Sequence, residues 1–186
     1  MDMRLDENRK IAWVVLVVCV LLSVFAFGGA ALGRERRKVM KVFNDGSDAS
    51  LATRHSMDAY LDSAAESAQL MVSEAELHMD ASALIDNVAQ LAQTVASEAD
   101  TDKRYEAYSS LKTAVDKLYN AMYEAAKGDA FTNFKVAYDD FWGYDDMIRH
   151  DEYSKLAAGY NGLVSGFPGA LVAGVTGQGQ LNTFGG

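Results

Sequence analysis

Residues 47–127 read SDASLATRHSMDAYLDSAAESAQLMVSEAELHMDASALIDNVAQLAQTVASEADTDKRYEAYSSLKTAVDKLYNAMYEAAK, 81 residues with neither glycine nor proline. Ala, Leu, Glu, Met and Lys dominate, and all are good helix formers. No run alternates β-branched with polar residues, so no sheet is expected. Apolar residues instead recur with heptad, coiled-coil-like spacing. Met57, Leu61, Ala64, Ala68, Met71 and Ala75 form one stripe; Leu84, Val88, Leu91 and Val95 a second; Tyr108, Leu111, Val115, Leu118 and Met122 a third. Each stripe has one apolar face, so each helix must pack on others.

The phase breaks between His78 and Ser82, where Asp80 or Ser82 can cap a new helix. Asp100-Thr101-Asp102 mark the next junction, and Gly128-Asp129 read as a helix end followed by a new cap. Phe131, Phe134, Tyr138 and Phe141 open the last long helix. Tyr153, Leu156, Tyr160, Leu163 and Phe167 continue its stripe beyond an irregularity expected at Gly143. An aromatic stripe at this spacing reads as bundle core, and short connections imply an antiparallel helical bundle.

Upstream, residues 11–33 (IAWVVLVVCVLLSVFAFGGAALG) contain no charged residue. At ~1.5 Å per residue this run spans ~35 Å, enough to cross a ~30 Å hydrocarbon core. A cleavable signal peptide is the rival. Its apolar core is usually ~7–15 residues long, whereas here the run is longer and Arg34, Arg36, Arg37 and Lys38 follow at once. An uncleaved anchor is therefore expected. Cys19 follows Val17 and Val18, which is not a lipoprotein pattern, and reads as a small apolar side chain. Lys and Arg are more frequent after the run (Arg34, Arg36, Arg37, Lys38, Lys41) than before it (Arg4, Arg9, Lys10). That bias favours the following domain in the cytoplasm and the N-terminus outside. Asn44-Asp45-Gly46-Ser47-Asp48-Ala49-Ser50 reads as a turn and hinge.

Charge excludes one class of partner. The chain carries 26 acidic and 17 basic side chains, yet residues 1–41 hold 8 of the basic and only 4 of the acidic ones. The remainder is strongly acidic and repels phosphate, so no nucleic-acid partner is expected. One cysteine and three histidines exclude a disulfide framework and a zinc-finger site. Glu74 and His78 are i,i+4, but a di-iron bundle needs Glu-x-x-His from two helices plus further carboxylates. Asp146 and His150 read as a surface ion pair, and His55 has no evident partner. Gly162-Leu163-Val164-Ser165-Gly166 places its serine one position late for a nucleophile elbow. Gly177-Gln178-Gly179 follows no strand, so it is no dinucleotide loop. No catalytic, cofactor-binding or metal-ligating residue is nominated, and no enzyme is expected.

After Lys155 there is no charged residue, and nine of the fifteen glycines fall in 159–186, so this tail differs in kind from the helices before it. A second membrane segment or re-entrant loop over 156–175 is one reading. A tail folded back on the bundle is the expectation, because Tyr160, Asn161, Ser165 and Pro168 interrupt the run.

This tail also carries a resemblance. Tyr160-Asn161-Gly162-Leu163-Val164-Ser165-Gly166-Phe167-Pro168 resembles the Y-N-x-x-V/I-x-x-F-P pattern that ends the last helix in the LemA family. Ala173, Gly174, Gly177 and Phe184 resemble that family's A-x-x-x-G…F finish. Tyr153 sits seven residues before Tyr160, as in its tandem Tyr-Asn repeat, although Ser154 here replaces the first Asn. His150 stands where the family has arginine, with Arg149 one place off, and the family's Arg-rich Leu-Ile-Pro stretch has no match. The resemblance covers about residues 145–184. It implies a membrane-anchored helical bundle at the bacterial inner membrane, N-terminus out and bundle in. It implies no established activity, cofactor or catalytic residue. Some members are linked to membrane shaping and others occur beside membrane proteases.

The expected organisation is all-α. It has a short N-terminal segment (1–10), one transmembrane helix (11–33), a basic juxtamembrane segment and hinge (34–50), an antiparallel helical bundle (51–167), and a Gly-rich tail packed on that bundle (168–186). Tyr153, Tyr160, Asn161, Phe167 and Pro168 form a structural motif. Tyr160 and Phe167, two turns apart, are expected to point into the bundle with Tyr153. The expected role is a non-enzymatic scaffold or adaptor. Its partners are the membrane, other membrane or cytoplasmic proteins including a membrane protease, and further copies of itself. An exported or outward-facing anchored domain, and an enzyme with an unrecognised site, are the alternatives.

Overall fold

The computed structural model describes residues 3–47, 56–80, 82–126 and 129–184, and among these no strand occurs. Among the described residues seven helices follow one another: α1 Met3–Asp45, α2 Met57–His78, α3 Ala83–Ser97, α4 Thr101–Ala125, α5 Asp129–His150, α6 Glu152–Ser165 and α7 Gly169–Thr176. They form two compact units, Met1–Val39 with Ala158–Gln180, and Met40–Ala157 with Leu181–Gly186.

The second unit is built from the heptad stripes. In α2 the stripe Met57, Leu61, Ala64, Ala68, Met71 and Ala75 is fully buried, and so in α4 are Leu111, Val115, Leu118 and Met122 with Tyr108 beside them. α2 packs on α3 and α5, and α3 on α4. In α3 the buried face is Ile85, Val88, Ala92 and Val95, while Leu84 and Leu91 of the expected stripe lie on its flank, half-buried. α3 is shared between α2 and α4, so its covered face is broader than a two-helix seam and rotates toward the residues between both neighbours.

Caps start the helices at the junctions. Ser56 Oγ accepts from Ala59 N–H at 3.1 Å. Ser82, rather than Asp80, caps α3, with its Oγ 3.4 Å from Ile85 N. Asp100 Oδ1 accepts from the N–H groups of Asp102 and Lys103, which opens α4. The Gly128 junction and His55 lie outside the described residues. Helix α5 runs unbroken through Gly143, where an irregularity was expected. The break falls at Asp151, whose Oδ1 accepts from Tyr153 N–H at 2.8 Å and so starts α6. A local carboxylate cap competes with helix continuation more strongly than a glycine does.

Helix α1 continues beyond the apolar run to Asp45, through the first part of the segment 34–50 expected as a basic juxtamembrane stretch and hinge. Lys, Arg and Glu sustain a helix, and Lys38 Nζ bonds Glu35 one turn away at 2.7 Å. The helix stops at Asp45, and Gly46 follows with φ +79°. Between Arg9 and Asp45 this helix is long and apolar enough to cross a membrane. Ile11, Trp13 and the large apolar side chains through Leu22, with Val24 and Phe27, are exposed.

Residues Gly169–Thr176 form a helix, and α7 lies in the unit that contains the glycines of α1. A Cβ placed on Gly28 would sit 3.1 Å from Val172 Cγ2, and one on Gly29 would sit 2.6 Å from Thr176 Cγ2. The two glycines therefore provide a flat strip on which α7 rests. Only the last residues join the second unit, where Leu181 and Phe184 are buried.

Candidate functional site

Two arrangements concentrate polar and aromatic side chains. The first lies in the second unit around Asp145 on α5, which is only 2 % exposed. Position 145 falls between Phe141 and Ile148 on the buried face of α5, so the helix delivers a carboxylate into the core. Its Oδ1 accepts from the Tyr108 hydroxyl at 2.8 Å and forms an ion pair with Lys112 Nζ at 3.3 Å. Its Oδ2 forms an ion pair with Arg149 Nε at 2.7 Å, one turn along α5. A buried carboxylate demands such partners. Burial, and then the negative charge of Asp145, hold the Tyr108 phenol far above its ordinary pKa of 10.0. Tyr108 is thus a permanent hydrogen-bond donor.

Aromatic rings close over this group. Phe184 meets Tyr105 edge-on at 5.2 Å between centroids, Tyr153 at 6.1 Å and Phe43 at 5.9 Å. Phe43 meets Tyr153 edge-on at 5.0 Å. These separations fall in the range where edge-to-face aromatic pairs attract. Arg104 on α4 is buried beside them. Its guanidinium reaches Asp58 and Asp62 of α2, the latter at 2.6 Å, and lies 6.0 Å from the Phe43 ring centre. Burial raises the pKa of Asp62, a shift the Arg104 charge partly offsets. Asn182 Nδ2 donates to Asp102 Oδ1 at 2.8 Å and fixes the strand of chain that carries Phe184.

The second arrangement lies wholly in the first unit. Helix α6 ends at Ser165, the chain turns through Gly166–Gly169 with a cis Phe167–Pro168 peptide, and α7 follows. A groove of about 410 Å3 lies beside the turn, and its walls include Val24, Gly28, Leu32, Leu163, Phe167 and Val172. Gly169 is required at the turn, because a Cβ there would lie 1.9 Å from the Leu163 carbonyl oxygen.

The motif residues are divided between these arrangements. Tyr153 is buried in the second unit; Tyr160, Asn161, Phe167 and Pro168 belong to the first. Tyr160 is buried, with its hydroxyl 3.4 Å from Gln178 Oε1, and Asn161 is half-buried. Phe167 corrects the expectation: it is 87 % exposed, not turned inward with Tyr153 and Tyr160. The reason is that α6 ends two residues earlier, so helical phase no longer applies at 167. Leu156 and Leu163 are exposed too; the buried positions of α6 are Tyr153, Ala157, Tyr160 and Val164.

Asp145, Tyr108 and Arg104 escaped sequence reading as a polar centre. Arg104 and Asp145 are charged residues within helices, and only the stripe phase of Asp145 relative to Phe141 and Ile148 hinted at burial. The i,i+4 pair Asp146 and His150 does form at the surface, with Oδ1 and Nδ1 3.4 Å apart. Glu74 and His78 are half-buried and exposed, and among the described residues no three His, Cys, Asp or Glu side chains gather as a metal site. Comparison of the chain with protein-family models, characterised proteins and solved structures finds no match.

Proposed function

We propose that this chain is a LemA-like membrane-anchored protein whose antiparallel helical bundle serves as a non-enzymatic scaffold or adaptor. In this reading α1 crosses a bacterial inner membrane once, N-terminus out, and the acidic bundle stands in the cytoplasm. The observation that carries the reading is α1 itself. Nearly all its large apolar side chains between Ile11 and Phe27 are exposed, which in water is costly at ~25 cal/mol per Å2 and in hydrocarbon is favourable. The basic cluster Arg34, Arg36, Arg37, Lys38 and Lys41 follows at the side that positive charge retains in the cytoplasm.

The buried polar groups support a structural role. Asp145 is occupied by Tyr108, Lys112 and Arg149, and Arg104 by Asp58 and Asp62. A general acid or base must be able to exchange a proton with a substrate, and these groups are committed to one another. The bundle surface, strongly acidic, is suited to proteins rather than phosphates, with a membrane protease and further copies of the chain among the candidates.

Reporter fusions after residue 50 and at residue 186 test the placement. Cytoplasmic activity at both is expected; activity of an export-dependent reporter at both overturns it. Crosslinking in intact membranes tests the scaffold role. An absence of both self-association and a reproducible partner overturns that part.

A further inference from the structure

Four side chains of the C-terminal hairpin have no cover: Leu163, Phe167, Leu171 and Val175 are between 52 % and 87 % exposed. Exposed apolar groups in one contiguous element mark an interaction surface. What covers them follows from the level of the hairpin along α1. The turn and the start of α7 lie beside Val24, Gly28 and Leu32, all inside the charge-free run 11–33. Val24 lies nine residues before Gly33, and Gly28 five, so the turn reaches ~7–14 Å below the end of that run.

We propose that residues 158–180 are a re-entrant hairpin inserted into the same membrane leaflet from which α1 emerges, with lipid acyl chains covering Leu163, Phe167, Leu171 and Val175. The proposal rests on the reading of α1 as a membrane span.

Three observations carry it. First, no charged side chain follows Lys155, so the hairpin enters hydrocarbon without burying an ion, the largest single cost of membrane insertion. Second, backbone at this depth must satisfy itself, and four N–H groups at the turn do so. Gly166 N–H donates to Gly162 O at 3.1 Å, Ala170 N–H to Gly166 O at 2.7 Å, and Leu171 and Val172 N–H to Pro168 O. Pro168 has no N–H to satisfy.

Third, polarity is graded along the hairpin. The apolar tip lies at Val24 and Gly28. Gln178, which meets the Tyr160 hydroxyl, approaches Gly33 at the end of the run, where an amphipathic aromatic and an amide belong. Ser165 Oγ and Gln180 Nε2 bond one another at 2.7 Å, which spares each an unpaired polar group. Contact between α7 and α1 through Gly28 and Gly29 is the small-residue packing by which helices associate in lipid, where hydrophobicity alone drives nothing together.

The full chain, with Cys19→Ser and one new cysteine, is reconstituted in phosphatidylcholine vesicles with and without bromine on the acyl chains. Phe167→Cys tests the hairpin, Leu21→Cys the span and Ser110→Cys the exposed face of α4. Each is reacted with a membrane-impermeant maleimide, and separately with an environment-sensitive fluorophore before reconstitution. The expected result is that positions 167 and 21 resist the maleimide and are quenched by brominated lipid, while position 110 reacts and is not quenched. If 167 reacts as fast as 110 while 21 stays protected, the hairpin proposal is overturned and the span stands. Reaction at both 21 and 167 overturns the span as well. Protection at 167 without quenching means that protein, not lipid, covers the tip, and also overturns the proposal. Phe167 is exposed, so its replacement does not endanger folding.

Discussion

The Tyr108 hydroxyl donates to Asp145 Oδ1 at 2.8 Å, joining residues 37 positions apart, on α4 and α5. This bond ties together two helices through a group that neither could bury alone. Tyr108→Phe removes one charge-assisted donor and should cost ~1.5–3 kcal/mol. Asp145→Leu leaves the phenol unpaired but frees Lys112 and Arg149 to reach water, so it should cost ~1–3 kcal/mol rather than the full penalty of a stranded buried ion. The double variant should lose less than the sum, by at least ~0.5 kcal/mol. Chemical denaturation of the detergent-solubilised chain measures all three, and strict additivity would refute the coupling.

Phe141 and Phe167 are both aromatic, but only Phe141 is buried. Phe141→Ala should cost ~3–5 kcal/mol. Phe167→Ala should change stability in detergent by less than ~0.5 kcal/mol. Thermal unfolding of the two variants side by side decides the matter, and equal losses would refute the outward placement of Phe167.

The seat of α7 on α1 can be locked. A Cβ on Gly29 would lie 3.5 Å from Thr176 Cβ, within the ~3.5–4.5 Å span of disulfides. Gly29→Cys with Thr176→Cys, in a Cys19→Ser background, should oxidise within one chain. Adding Gly169→Ala should prevent it, because that methyl collides with the Leu163 carbonyl and moves the turn. Gel mobility with and without reductant reads the result. Free thiols in the double-cysteine protein would mean that α7 does not rest there.

Acid should weaken the start of α4. Backbone N–H groups of Lys103 and Asp102 hold Asp100 below its ordinary pKa of 3.8. A carboxylate with a depressed folded pKa contributes stability above 3.8 and loses it as pH falls through the folded value. Asn keeps a cap acceptor without the charge. The melting temperature of the native chain should therefore exceed that of Asp100→Asn at neutral pH, with the gap closing below pH 3.8. Asp62 and Asp151, whose pKa values burial raises, act with the opposite sign but equally in both proteins. A gap constant with pH would show that the cap charge contributes nothing.

The helices were legible in the sequence because each is a local device. The periodicity of Met57–Ala75 and Tyr108–Met122 marks a face that must be buried, and Ser82 and Asp100 satisfy N–H groups only two or three residues away. The charge-free run 11–33 announces a membrane-length helix by composition alone.

Tertiary structure decided the rest. Asp145 and Arg104 are ordinary helix residues until helices from elsewhere in the chain deliver Tyr108 and Asp58, and no local rule forecasts partners 37 and 46 positions away. Phe167 reads as core by its spacing from Tyr160, but helical phase ends where the chain turns, and Pro168 ensures that it turns. Gly28 and Gly29 read as membrane-helix glycines, and only the approach of Val172 and Thr176 gives them a reason to lack side chains. Sequence determines which faces must be covered; the path of the chain through space determines what covers them.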